Sequence, residues 1–226
     1  MNKETYHALK DHMLGFMRDS AHDREHIYRV LYTALDIAGH EENVDLDVLT
    51  AACLLHDIGR VEQYKDPRVC HAEAGSEMAY AILLELGWAQ TKAEHVRQCV
   101  LTHRFRNDRP PKSLEAKILF DADKIDATGA LGIARTLIYQ GQVSQPLYTA
   151  EDDRVLDGTG EEPPSFFHEY RFKLEKLYNI FYTKRGGEIA NGRRAAAEAF
   201  YKSLLSEAQG CYRDGKRRLD KILAGN

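Results

Sequence analysis

The stretch LDVLTAACLLHDIGR, Leu46 to Arg60, decides how the rest of the chain is read. Leu46, Leu49, Ala52 and Cys53 recur at three- and four-residue steps, the spacing of one face of an α-helix. His56 continues that face, which carries an imidazole into the interior, and Asp57 follows it directly. Consecutive helical residues point about 100° apart, so both side chains can reach one point only where the helix is ending. Gly59, two residues on, fits such an end. A buried carboxylate without a partner costs several kcal/mol, so it must neutralise, pair or bind a cation.

Outward from this stretch the pattern stays helical. Residues 23–39 carry Ile27, Val30, Leu31, Ala34, Leu35 and Ala38 as one stripe. Further helices are predicted over residues 3–18, 71–87, 91–103, 114–126 and 129–140, with Ser113 as an N-cap and Gly87 as a stop. Residues 141–164 lack any period and collect acids and turn residues, which reads as a long loop or lid. Beyond it, one helix carries Tyr170, Leu174, Leu177, Tyr178 and Phe181 and ends at Gly186-Gly187. A second carries Ile189, Ala196, Phe200 and Leu204, and a short last one carries Leu219, Ile222 and Leu223. No segment alternates as a strand does, and Ala plus Leu number 49 against 20 for Val plus Ile, so the expected fold is all-α.

Composition closes off other classes. Hydrophobic residues make up 43% of the 226, enough for a core. No apolar run approaches the ~20 residues that span a bilayer, and the N-terminus lacks a signal-peptide layout, so no membrane role is expected. Cys53, Cys70, Cys99 and Cys211 are scattered without a C-x-x-C pair, which suits a reducing cytoplasm. A net charge of −4 argues against dedicated nucleic-acid binding. That charge is uneven: residues 165–226 carry +6, so residues 1–164 carry −10.

The ten histidines matter by position. His26 lies at the edge of the 23–39 stripe, His71 opens a helix, and His103 follows Val96 and Val100 on theirs. Asp121 and Asp123 both fall near the apolar face of 114–126, and periodicity does not separate them. Inward imidazoles and carboxylates from several helices suggest one shared counter-ion, and a set without thiolates suits Mn, Fe, Co, Ni or Zn, or Mg if carboxylates and waters dominate.

A His, a later His-Asp doublet and a distant Asp, here HIYRV (26–30), LLHDIGR (54–60) and DADKID (121–126), resemble the HD-domain superfamily of metal-dependent phosphohydrolases. The runs AHDREHIYRV and FDADKIDATGALGIAR look most like small stand-alone bacterial HD proteins with a C-terminal helical extension. The resemblance implies an HD-domain helical bundle over residues 1–140, a loop or lid at 141–164 and an extension at 165–226 packing on the core. It implies His26, His56, Asp57 and Asp123 as metal ligands, with Asp121 as the fallback, and Asp57 and His56 as catalytic residues. His71 and His103 stand where family members bind a second metal or substrate phosphate, and Asp126 reads as a supporting charge. Arg60 and Lys124, beside ligands in sequence, are candidate phosphate contacts, and Arg193 and Arg194 are weaker ones; His22, four residues before His26, reads equally as a partner at the helix N-terminus, a support for a ligand or a catalyst. The expected activity is hydrolysis of a phosphate ester of a nucleotide or another small phosphorylated metabolite. The rivals are a silent metal- or nucleotide-binding regulatory module and an HD-type di-iron oxygenase.

Overall fold

The structure, a computed structural model, describes residues 1–16, 24–104, 109–151 and 154–225. The described residues divide into two compact units, one of residues 1–126 with 181–189 and one of 127–180 with 190–226.

The first unit contains α1 (Lys3–Phe16), α2 (Arg24–Ala38), α3 (Leu46–Leu55), α4 (Arg60–Lys65), α5 (His71–Glu85), α6 (Gln90–Thr102) and α7 (Leu114–Ile125). The helix α3 is its centre and touches α1, α2, α5, α6 and α7. Val48, Leu49 and Ala51 through Leu55 are all buried, so α3 is apolar almost all round, as a helix surrounded by others must be. Burying each Leu side chain contributes about 1.5–3 kcal/mol. Asp45 caps its N-terminus by accepting from the amides of Asp47 and Val48, and Ser113 caps α7 by accepting from Ala116 N. The α2 stripe is buried as read except at Leu35, which is 40% exposed, while Ile37 takes an interior place.

Two local readings change. Gly59 does not end α3 through a left-handed conformation; its φ is −74° and it begins α4, a helix the apolar spacing does not announce. What requires glycine there is proximity: a Cβ on Gly59 would lie 2.2 Å from His71 O and 2.4 Å from Gly75 N. Gly186 and Gly187 do not stop a helix either, because they sit in the first turns of one that starts at Lys184. A Cβ on Gly186 would lie 2.6 Å from Asp121 Oδ2.

The second unit contains α8 (Gly129–Gln142), β1 (Ala150–Glu151), β2 (Arg154–Val155), α9 (Phe166–Phe172), a 3-10 turn at Leu174–Asn179 and most of α10 (Lys184–Leu223). The helix α8, grouped with the first 140 residues in the sequence reading, falls here. The stretch read as loop carries a small antiparallel pairing, Ala150 with Val155 and Glu151 with Arg154. Gly158, at φ +83°, lies against the backbone of Phe167. Phe166, Phe167, Tyr170, Leu177 and Tyr201 pack into this unit's core, with Tyr170 and Tyr201 stacked at 4.3 Å between centroids. The predicted helix through Tyr170 and Phe181 is broken into α9 and the 3-10 turn. The last two predicted helices are instead one of 40 residues: Gly192, Gly210 and Gly215 each cost about 1 kcal/mol of helix propensity but do not interrupt it. Among the described residues, no helix is long and apolar enough to cross a membrane.

Candidate metal centre

Five helices of the first unit bring six donor side chains together. His26 comes from α2, His56 and Asp57 from the end of α3, His71 from the first turn of α5, His103 from the end of α6 and Asp123 from α7. They form two groups that can each hold a metal ion, His26–His56–Asp123 and Asp57–His71–His103; within each, the donor atoms lie within 4.8 Å of one another. Asp57 stands between the groups. Its Oδ2 lies 3.6 Å from His26 Nε2 and 3.8 Å from His56 Nε2. Its Oδ1 lies 3.7 Å from His71 Nε2 and 3.6 Å from His103 Nε2. On the far side, Asp123 Oδ1 is 3.5 Å from His26 Nε2.

Each imidazole is held from behind through Nδ1. His56 donates to Cys53 O at 2.8 Å and His103 to Val100 O at 2.6 Å. His71 donates to Gln63 Oε1 at 2.9 Å, and His26 to Asp126 Oδ2 at 2.7 Å. With the proton on Nδ1, every Nε2 turns a lone pair inward, as a metal-ligating histidine does. Asp126 is itself gripped by Arg29, at 2.7 and 3.0 Å.

The electrostatics agree. Burial pushes His56 down to about 4 against the opposing pull of Asp57, and burial aided by Arg60 pushes His71 down to about 2. Burial alone would raise the Asp57 carboxyl, but the Arg60 guanidinium and the imidazoles hold it well below the usual carboxylate range. Lys124 and the imidazoles do the same for Asp123. Near neutral pH the centre therefore presents the carboxylates of Asp57 and Asp123 and the unprotonated Nε2 atoms of His56 and His71. The Nε2 atoms of His26 and His56 face each other at 3.3 Å, and Asp57 Oδ1 is buried without a hydrogen-bond partner. Lone pairs turned on one another without a proton between them fit a divalent cation. The nitrogen and oxygen donors fit borderline and hard divalent ions.

The two aspartates of α7 part here. Asp121 is fully buried but turns away from the donors and accepts from Tyr182 N, Thr183 N and Thr183 Oγ1, which anchors the start of α10. The candidate phosphate contacts lie on the donor carboxylates: Arg60 Nε is 2.9 Å from Asp57 Oδ2 and Lys124 Nζ 2.6 Å from Asp123 Oδ2. Arg193 and Arg194 belong to the second unit, where Arg194 pairs with Glu198 and lies over the Tyr178 ring. His22 lies outside the described residues. Sequence reasoning missed Gln63 and Arg29; Arg29 had a signal in its place three residues after His26 on the predicted 23–39 helix, whereas Gln63, on the unannounced α4, had none.

Residues 24–128 match the family model of the HD domain. The chain is 28% identical over 195 residues to YpgQ of Bacillus subtilis, an uncharacterised protein, covering 84% of this chain and 86% of that one. The crystal structure of YpgQ in complex with ADP superposes with a TM-score of 0.69 at 26% identity, covering 89% of this chain and 97% of the other. An HD-superfamily hydrolase from Bacillus thuringiensis gives 0.65 at 26% identity, covering 90% and 95%. A Lactobacillus plantarum structure at 24% identity shares the fold with a TM-score of 0.73, covering 92% and 98%. The His, His-Asp and Asp run of this helical unit and the family match over residues 24–128 identify an HD domain in the chain, and these solved structures share its fold.

Proposed function

We propose that the chain is a metal-dependent phosphohydrolase that cleaves a phosphate ester of a nucleotide or another small phosphorylated metabolite through a metal-activated water. The observation that carries this reading is Asp57, buried between two triads with one oxygen toward each. His26, His56, Asp57 and Asp123 would hold one divalent ion; His71 and His103, with the other oxygen of Asp57, would hold a second ion or the substrate phosphate. Bound there, divalent ions would supply polarisation of a phosphoryl oxygen and a bound water whose pKa is lowered to roughly 7. Asp57 orients the attacking water. His56, its Nδ1 tied to the Cys53 carbonyl, would present Nε2 to the ion that activates the water. Arg60 and Lys124 offer positive charge to the phosphate oxygens from the rim, where their side chains are 26% and 15% exposed. The ADP complex of YpgQ supports a nucleotide as the substrate class. Four free cysteines suit a cytoplasmic setting.

The test is to strip the protein of metal, reload it with each divalent ion, and offer a panel of nucleotides and phosphomonoesters. Phosphate release with at least one ion is expected. Tight metal binding without turnover of any ester would instead mark a silent binding module. Oxygen-dependent turnover with iron and no phosphate release would mark an oxygenase.

A further inference from the structure

Resting on the metal-centre reading above, we propose that the two ion positions are unequal by construction. The His26–His56–Asp123 position fills first and tightly. The Asp57–His71–His103 position is a weaker, exchangeable one, and Asp126 and Gln63 set this order.

The argument lies behind the imidazoles. A carboxylate accepting from Nδ1–H of a ligating histidine raises the basicity of the opposite nitrogen, whereas a neutral carbonyl does so less. At the first position His26 is backed by Asp126, buried at 3% exposure, while His56 is backed by the Cys53 carbonyl. At the second position both backing groups are neutral: the Gln63 amide behind His71 and the Val100 carbonyl behind His103.

Formal charge runs the same way. The first position has Asp123 of its own, Asp126 one step behind, and Oδ2 of the shared Asp57. Cations offset part of this: Lys124 on Asp123, Arg29 on Asp126 and Arg60 on Asp57. The second position has the shared Asp57 alone, through Oδ1. Against it stand two guanidiniums, because the charges of Arg60 and Arg104 both act on His71. A cation entering there meets less negative charge and less basic nitrogens. A substrate phosphate would supply the missing charge, so the second ion and the substrate should strengthen each other's hold. Activity would then follow the free divalent-ion concentration through the weaker position.

The experiment titrates the metal-free full chain with Mn2+ alone, by calorimetry and by electron paramagnetic resonance counting of bound ions, without substrate. Wild type should bind two ions with dissociation constants at least about tenfold apart. Asp126→Asn should weaken the tight position by about 10–100-fold and leave the weak one nearly unchanged. Gln63→Glu, on the short α4, should tighten the weak position by about tenfold, or create a countable second ion if wild type shows only one. Equal constants in wild type, a Gln63→Glu variant that leaves the weak position unmoved, or an Asp126→Asn variant that weakens both alike would overturn the ordering. Binding of no ion would remove the ordering and the metal reading together. Two unequal ions with no turnover of any ester would remove the phosphohydrolase reading alone.

Discussion

The glycine after the His-Asp doublet offers a severe test of how this centre is held. Gly59 has helical dihedrals, φ −74° and ψ −5°, so alanine suits its backbone. On chain entropy alone, Gly59→Ala should stabilise the protein by about 0.4–1 kcal/mol. The structure reverses that sign. The new Cβ would sit 2.2 Å from His71 O and 2.4 Å from Gly75 N, and neither backbone atom can rotate away. Relief to even a tight 3.0 Å contact with His71 O requires the start of α5 to retreat by at least 0.8 Å. Overpacking of this kind costs about 1–3 kcal/mol, and backbone obstruction puts it at the upper end. The net loss is about 2–3 kcal/mol, or roughly 4–12 °C in Tm for a chain of this size. The retreat also carries His71 away from Asp57 Oδ1, now 3.7 Å from its Nε2, so metal at that position should be lost first. Gly75→Ala is the control. Its Cβ would meet Gly59 N at 3.1 Å, which a shift of a few tenths of an ångström relieves, and Tm should change by less than about 4 °C. Thermal unfolding by circular dichroism with parallel metal counting checks both. A Gly59→Ala protein with wild-type Tm and two bound ions would refute the reasoning.

The remaining expectations concern the donors. His56→Ala and Asp57→Ala should each lose metal and turnover together while keeping the helical signal; full activity with stoichiometric metal in either would displace the assignment. Asp123→Asn should cost far more metal affinity than Asp121→Asn. The latter should instead lower stability by about 1–3 kcal/mol, because Thr183 and Tyr182 donors lose a buried acceptor; the reverse pattern would exchange their roles. The metal-free protein should weaken in acid. His56 titrates near 4 when folded and near its ordinary value of about 6.5 when unfolded, so between these the unfolded chain binds the extra proton. Stability is full above that window and falls by about 3 kcal/mol as pH drops through it. Urea midpoints that stay flat across the window in wild type would contradict the buried, neutral state of His56.

The sequence exposed some of this because burial leaves a periodic trace and close approach does not. His26, His56 and His103 stood out as polar residues continuing apolar helical stripes, and α3 buries its stripe except at Leu46, which is 53% exposed. Asp121 and Asp123 sit two residues apart on α7, and no periodicity could divide them. What divides them is the Tyr182–Thr183 segment, some sixty residues away in the chain, which claims Asp121 as the anchor of α10. Gly59 and Gly186 looked like helix stops because glycine commonly ends helices, yet both are needed where another group comes too near for a Cβ. The groups behind the imidazoles were the least legible of all. Gln63 and the carbonyls of Cys53 and Val100 carry no sequence signal of their own, because a backbone acceptor is present at every residue and an amide on a short helix is ordinary. Only the assembled centre shows that one histidine rests on a carboxylate and three rest on neutral groups. That difference follows from tertiary placement, and it is where two triads of similar composition acquire different chemistry.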